Sequence, residues 1–234
     1  MRPLPVRQNR ISARDVSAIC ERIARHALSS PQTHFTVRDI LTDQLLLECR
    51  PSESIRGIFA QVIDPELALS MAHFSFSDED CCIEGLLSPL NSGVASKDLQ
   101  YMFFNGRFAV CPVLSDYLNR ICGACFRFVR NPDDWTSHRN SPGTKGRRRH
   151  PAFVILIKAP HDRFLWLNAE SQSQVEVQNE SRMLQALQDI LKRVVSASCP
   201  ALECYFDRIF PQILDPQHAT SFRTFHTTYN ALNM

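Results

Sequence analysis

Residues Ala152–Ile157 read Ala-Phe-Val-Ile-Leu-Ile, six positions without one polar side chain. A strand with one wet face alternates polar and apolar residues, so an unbroken apolar run of this length suits a strand covered on both faces, at the centre of a sheet. The flanking sequence supplies its neighbours. Gln100–Asn105 is a second apolar strand, closed by the turn dipeptide Asn105-Gly106. Between the two, Leu118, Ile121, Cys122 and Cys125 fall on one stripe of a helix expected over Ser115–Val129. If the two strands run parallel, this strand–helix–strand unit should cross over right-handed.

The same alternation recurs along the chain. A first helix is expected over Ala13–Leu28, with Val16, Ile19, Cys20, Ile23 and Ala27 at helical spacing, Ser12 as its cap and Pro31 beyond its end. Strands at His34–Arg38 and Leu45–Cys49 form a hairpin about a polar turn, Asp39–Gln44. Ser52 caps a helix carrying Ile55, Ile58, Phe59 and Val62. Strands follow at Ala72–Ser77 and Cys82–Leu87 about the acidic turn Asp78–Asp80. The stretch Asn131–His150 has no periodicity and reads as a long exposed loop. Strands at Phe164–Asn168 and Val175–Val177 and a helix over Ser181–Val195 complete the pattern. Elements in this order specify an α/β fold, a mixed sheet with helices packed mainly on one face.

With 234 residues, 44% of them apolar, the chain can bury a core for one large domain or one and a half. No apolar run approaches membrane-span length, and Met1 precedes a polar, arginine-bearing stretch rather than an export signal, so an intracellular protein is expected. Most of the nine cysteines, among them Cys20, Cys81, Cys122 and Cys125, lie in apolar segments, which points to reduced, packed thiols rather than disulfides. Cys122-Gly-Ala-Cys125 has no second pair or histidine to complete a zinc site, so it too reads as core.

The net charge is only +2, but its distribution is informative. Arg139, Lys145, Arg147, Arg148 and Arg149 fall within eleven residues that contain no acid. Such a run fits sequence-independent contact with DNA phosphates, and the lack of interleaved aromatics speaks against base stacking. A solvated insertion or a nuclear-import signal is the competing reading. Arg107, placed just after a tight turn, is the other candidate, because a guanidinium fixed there can grip a phosphate with two N–H groups. A solvated or salt-bridged strand-end arginine is the alternative. Asn105 and Gly106 are explained by turn geometry. No Ser-His-Asp or Cys-His arrangement can be placed, and His161-Asp162 sits in a turn.

Four motifs stand in order: Leu4-Pro5-Val6-Arg7 ahead of a helix and Phe35-Thr36-Val37-Arg38-Asp39; Glu84-Gly85-Leu86-Leu87-Ser88-Pro89; Gln100-Tyr101-Met102-Phe103-Phe104-Asn105-Gly106-Arg107; and His150-Pro151-Ala152-Phe153-Val154. Together, over about Leu4–Val195, they resemble the transducer domain of MutL-type DNA mismatch-repair proteins, the second half of that family's ATP-binding region. It is a ribosomal protein S5 domain 2-like fold. The basic segment and hairpin wording are most similar to the MLH3-like branch, associated with mismatch repair and meiotic crossing-over.

The resemblance implies a linker and connecting helix over residues 1–31, with Arg7 and Gln8 at the junction to a preceding GHKL-type ATPase domain. The transducer domain then covers residues 32–198, and an extension or interdomain linker residues 199–234. It implies a nuclear protein that couples an ATP-driven clamp to double-stranded DNA, paired with another MutL-type subunit and not with a membrane. ATP and Mg2+ are expected only in the preceding domain, because the glycine-rich nucleotide motifs do not occur here. The family's phosphate-contacting lysine falls in a loop matched by Asn168–Gln174, where Glu170 fits but Ser171 replaces the proline and Ser173 the lysine. A hydroxyl cannot supply that point charge, so no catalysis is expected of this chain and no cofactor site. Asp215-Pro216-Gln217-His218-Ala219 echoes the family's endonuclease motif but lacks the following carboxylates, and no metal site is expected. Two alternatives stand beside this reading: a partial sequence of an ATPase that hydrolyses ATP when complete, and a protein-interaction module with no DNA contact.

Overall fold

The structure is a computed structural model that describes residues 13–90, 93–130, 149–168 and 173–198. The chain divides into two compact units, residues 1–69 and 70–234.

The first unit packs helix α1 (Ala13–Ser29) and helix α2 (Ile55–Val62) with a hairpin of β1 (Phe35–Arg38) and β2 (Leu45–Cys49). Ala24, Ala27 and Leu28 of α1 and Ile55, Ile58 and Phe59 of α2 are buried. Gln61 pins the end of β2: its Oε1 accepts from Arg50 N at 2.8 Å and its Nε2 donates to Arg50 O at 3.2 Å. Ser54, not Ser52, caps α2. Its Oγ accepts from Gly57 N at 3.2 Å, while Ser52 Oγ accepts from Ser54 N at 3.3 Å and so braces the cap. A short helix α3 (Pro65–Ser70), not anticipated from the sequence, begins after Asp64, whose carboxylate accepts from Leu67 N at 2.8 Å.

The hairpin turn departs from expectation in its chemistry. Asp39 Oδ1 accepts from Leu41 N at 2.8 Å, Thr42 Oγ1 from Gln44 N at 3.4 Å, and Arg38 reaches the Asp43 carbonyl and carboxylate at 3.2 and 3.3 Å. The polar side chains are thus spent on the loop's own backbone. Ile40 and Leu41 are left 95% and 94% exposed, so the tip of this nominally polar turn is apolar.

The second unit holds a five-stranded sheet in the order β3-β4-β7-β5-β6, formed by β3 (Ala72–Ser77), β4 (Cys82–Leu87), β5 (Gln100–Phe104), β6 (Arg107–Phe108) and β7 (Phe153–Lys158). The apolar run is the central strand, antiparallel to β4 and parallel to β5. Its register lines up rows of side chains on one face: Phe76, Ile83, Ile157 and Phe104 in one, and Phe74, Gly85, Ile155 and Met102 in the next. Helices α4 (Pro112–Arg130) and α5 (Glu180–Ser198) share one core with these rows, through Leu118, Ile121, Cys122 and Cys125 from α4 and Leu187, Ile190, Leu191 and Val194 from α5. A mixed sheet with its long helices on one face is the fold the sequence specified.

The departures are local. Arg107 does not end the long strand but starts the short β6, and α4 begins three residues before Ser115, at Pro112, because proline's fixed φ suits a first helical turn that needs no N–H donor there. Strand β9 (Ser173–Val177) starts two residues early, where Ser173 pairs with Asn168 of β8 (Phe164–Asn168).

The acidic turn after β3 is a charge cluster. Asp78 Oδ1 accepts from Cys81 N at 2.7 Å and Asp80 N at 2.8 Å, and Arg182 of α5 bridges the Asp78 and Asp80 carboxylates. The two backbone N–H groups and then the arginine hold the Asp78 carboxyl below its ordinary value. Burial, with help from the Asp78 charge, pushes the neighbouring Cys81 thiol up to about 11. The described cysteines are free thiols; Cys49, Cys111, Cys122 and Cys125 are buried and Cys20, Cys81 and Cys82 partly so. Burial raises the Cys122 thiol well above its ordinary range, as a core role requires. Among the described residues no helix is long and apolar enough to cross a membrane, and no three His, Cys, Asp or Glu residues gather to hold a metal.

Candidate nucleic-acid interface

Phe104 and Arg107 face each other across a two-residue turn in which Asn105 has φ +50° and Gly106 φ +79°. A tight hairpin with both central residues left-handed needs residues of this kind, glycine without penalty and asparagine with little. Asn105 does more than turn the chain. Its N–H donates to Ile157 O at 2.8 Å, its Nδ2 donates to Ala159 O at 2.9 Å, and its Oδ1 accepts from Ala159 N at 3.0 Å. The side-chain amide therefore continues the β5–β7 ladder one step past the end of β5, and the turn is tied to the central strand.

Arg107 leaves that turn exposed to solvent, with its guanidinium carbon 4.4 Å over the ring of Trp166 in β8. Trp166 is itself held edge-on by Phe104, with ring centroids 6.5 Å apart at 88°, and Phe104 is packed edge-on with Phe164 at 5.3 Å. Other described arginines are matched to carboxylates: Arg38 to Asp43, Arg50 to Glu48, Arg163 to Asp80, and Arg182 to Asp78 and Asp80. Among the described residues no carboxylate pairs with Arg107. A guanidinium steadied through its π-face keeps its hydrogen-bonding edge for an anion.

Of the basic segment, Arg139, Lys145, Arg147 and Arg148 lie outside the described residues. Arg149 stands at its edge and is held: its Nη1 donates to Gly93 O at 2.6 Å. Val94 and His150 exchange backbone hydrogen bonds of 2.8 and 2.9 Å beside it. Gly93 is a glycine because a Cβ there would lie 2.8 Å from Arg149 Cβ and 2.9 Å from the Phe126 ring. Arg149 and Arg107 are thus fixed by different elements, Arg149 with one N–H already committed.

Three of the four ordered motifs converge on the central strand. Ser88, fully buried, donates its N–H to Ala152 O at 2.8 Å, and its Oγ accepts from Ala152 N at 3.0 Å. Gln100 and Asn119 form a reciprocal amide pair at 2.9 and 3.0 Å, Gln100 also donates to Pro151 O at 2.9 Å, and His150 Nδ1 lies 3.2 Å from Asn119 Oδ1. The motif residues therefore recognise one another and set the entry of β7. The Leu4–Arg7 motif lies outside the described residues.

Sequence reasoning named Ser88 only as part of a motif, without its role, and missed Asn119 and Trp166. The signal for Trp166 was the Phe164-x-Trp166 alternation, which puts both rings on one face of β8. Nothing in the sequence pairs that face with Phe104.

Among the described residues, Ser173 and the glycines are engaged in the fold's own structure. Ser173 begins β9, and its carbonyl is taken by Val110 N at 2.9 Å. Each described glycine has another place: Gly57 and Gly123 in helices, Gly85 in β4, Gly93 against Arg149, and Gly106 in the hairpin turn. None opens a phosphate-cradling loop onto a helix.

No protein-family model matches the sequence, and no curated protein matches it. Among solved structures, the crystal structure of the N-terminal domain of a DNA repair protein matches with a TM-score of 0.57 at 15% identity, over 83% of this chain and 52% of that one. The fold resembles that of a DNA repair protein's N-terminal domain. The chain spans about half the length of that structure. Looser matches are the B-subunit of the DNA gyrase from Myxococcus xanthus, at TM-score 0.47 and 13% identity over 87% of this chain and 61% of that one, and a single-substitution variant of the Aquifex aeolicus MutL ATPase domain, at TM-score 0.45 and 15% identity over 80% and 56%.

Proposed function

We propose that this chain is the transducer part of a MutL-type DNA mismatch-repair subunit of the MLH3-like branch, acting in the nucleus beside a second MutL-type subunit. It couples a clamp, driven by ATP and Mg2+ in another domain, to double-stranded DNA, and does no chemistry itself. The observation that carries the DNA contact is Arg107, an exposed guanidinium fixed over Trp166 with no carboxylate partner among the described residues. The acid-free run Arg139, Lys145, Arg147, Arg148 and Arg149 adds diffuse positive charge that needs no particular base sequence. The ordered motifs and the fold shared with a DNA repair protein's N-terminal domain support the setting.

Filter binding of the full chain to duplex DNA across a salt series tests this. Affinity should fall linearly in log–log form with salt, and Arg107→Ala should weaken binding about tenfold at low salt and lower the slope by about 0.9. Neutralising Arg147, Arg148 and Arg149 should lower the slope further. No binding at low salt would overturn the proposal.

One observation favours a second reading, a protein-interaction module: the exposed Ile40–Leu41 tip, flanked by Asp39 and Asp43, offers apolar contact to a protein and repels phosphate. Retention of a MutL-type subunit by the chain, lost in Ile40→Asp, with no DNA binding, would select it.

A further inference from the structure

The contact between Arg107 and Trp166 asks why an exposed arginine should be stacked at all. Arginine carries about 2 kcal/mol of side-chain rotamer entropy, and an exposed one ordinarily samples many conformers. Here three layers hold one of them. Phe164 and Phe104 pack edge-on, Phe104 presents itself edge-on to Trp166, and the Trp166 ring carries the guanidinium at 4.4 Å. The base of the side chain is fixed equally firmly, by the two left-handed turn residues and by the Asn105 amide hydrogen-bonded to both N and O of Ala159. A core-stabilising role for the stack is poorly served by this arrangement, since the arginine is exposed. Preorganisation of a cation serves it well, because a ligand then pays less ordering entropy on binding.

We propose that Trp166 is a positioning residue: its ring holds the Arg107 guanidinium as a ready receptor for one backbone phosphate of duplex DNA, gripped through two N–H groups. The proposal rests on the DNA-binding reading above. The ring face neutralises none of the guanidinium's charge and uses none of its five in-plane N–H groups, whereas a carboxylate partner would do both. Base reading by Trp166 is not part of the assignment, because one face of the ring is taken by Arg107 and Phe104 abuts it edge-on. The contact is therefore indifferent to sequence.

The test is a double-mutant cycle on the full chain, read by affinity for a blunt duplex oligonucleotide and by the salt slope of that affinity. Trp166→Leu should weaken binding about two- to fivefold, the equivalent of an exposed cation–π contact. Trp166→Phe should stay within about twofold of the parent protein. Adding Trp166→Leu to Arg107→Ala should cost nothing further, because tryptophan acts only through the arginine. Trp135→Phe leaves Trp166 as the sole tryptophan, and its emission should change as duplex is added in that background and not with Arg107→Ala. Equal effects of Trp166→Leu in the presence and absence of Arg107, or unchanged affinity and slope in Trp166→Leu, would overturn the proposal while leaving the DNA reading standing. Failure of the parent protein to bind duplex at low salt would remove the DNA reading and this inference with it. If Trp166→Leu does not fold, comparison of Trp166→Phe with Arg107→Lys decides: phenylalanine should preserve binding, and lysine, which keeps the charge but cannot bond through two parallel N–H groups, should keep the salt slope and weaken binding by less than alanine does, full affinity with lysine overturning the two-bond grip.

Discussion

Asn105 stands in for backbone. Its amide bonds both polar groups of Ala159, so a single side chain supplies what another residue of β5 would have supplied. Ser88 does the same from inside the core, offering its hydroxyl oxygen to Ala152 N at 3.0 Å. The consequence at this scale is sharp. Ser88→Ala removes the acceptor and leaves a buried N–H without one, so it should destabilise the fold by about 1–3 kcal/mol, seen as a lower urea midpoint with an unchanged slope. Arg107 is different in kind: its loss should spare stability and show only in DNA binding. The sequence made Arg107 visible through its place after Asn105-Gly106, and it made the turn visible through the dipeptide itself. It could not show Trp166, fifty-nine positions away in number and a ring's thickness away in space, because nothing local links two separate strands.

At the scale of elements, the strands and helices with strong periodicity were legible to within a few residues. Cys82–Leu87 and Leu45–Cys49 fall where the pattern put them, since each is a short, mostly apolar run bounded by polar turn residues. The helix ends were harder. Ser52 and Ser54 both lie ahead of α2, and only geometry distinguishes the residue that caps from the one that braces it. Elements as short as β6 and α3 carry too few residues for any period to emerge. Gly85 gives the register of β4 a physical lock. A Cβ there would fall against the Val154 carbonyl of β7 and 2.8 Å from the Phe74 ring, so Gly85→Ala must push β4 and β7 apart. A loss of about 1–3 kcal/mol, measured by thermal or urea unfolding, is expected. The acidic turn after β3 predicts a pH effect of definite sign. Because Asp78 is held below the ordinary aspartate value of 3.8 in the folded protein, the stability it confers is present above that value and is lost as pH falls beneath it towards the folded value. Unfolding midpoints at pH 6 and pH 3 should therefore differ less in Asp78→Asn than in the parent protein.

For the whole molecule, the fully apolar run announced its own position, because a strand with no polar position needs both faces covered, as strands in the interior of a sheet are. Which strands would flank it was not legible: β4 precedes it by some seventy positions and β5 by about fifty, and pairing partners at such separations leave no local trace. Two compact units, 1–69 and 70–234, likewise emerge from contacts rather than composition. A chain ending before Phe153 would keep the hairpins β3–β4 and β5–β6 but lose the strand that joins them. Such a truncation should unfold without cooperativity and sediment as aggregates, where the full chain should keep a cooperative transition for its second unit. Synthesis imposes that same truncated state on every molecule in passing. Some fifty residues separate the end of β5 from the start of β7, so at ordinary translation rates the ribosome holds two half-sheets with bare inner edges for roughly 2–10 s before the strand that unites them is made. Correct folding of this protein thus depends on those edges being kept apart from other chains during that interval, a demand that falls on the cell rather than on the sequence.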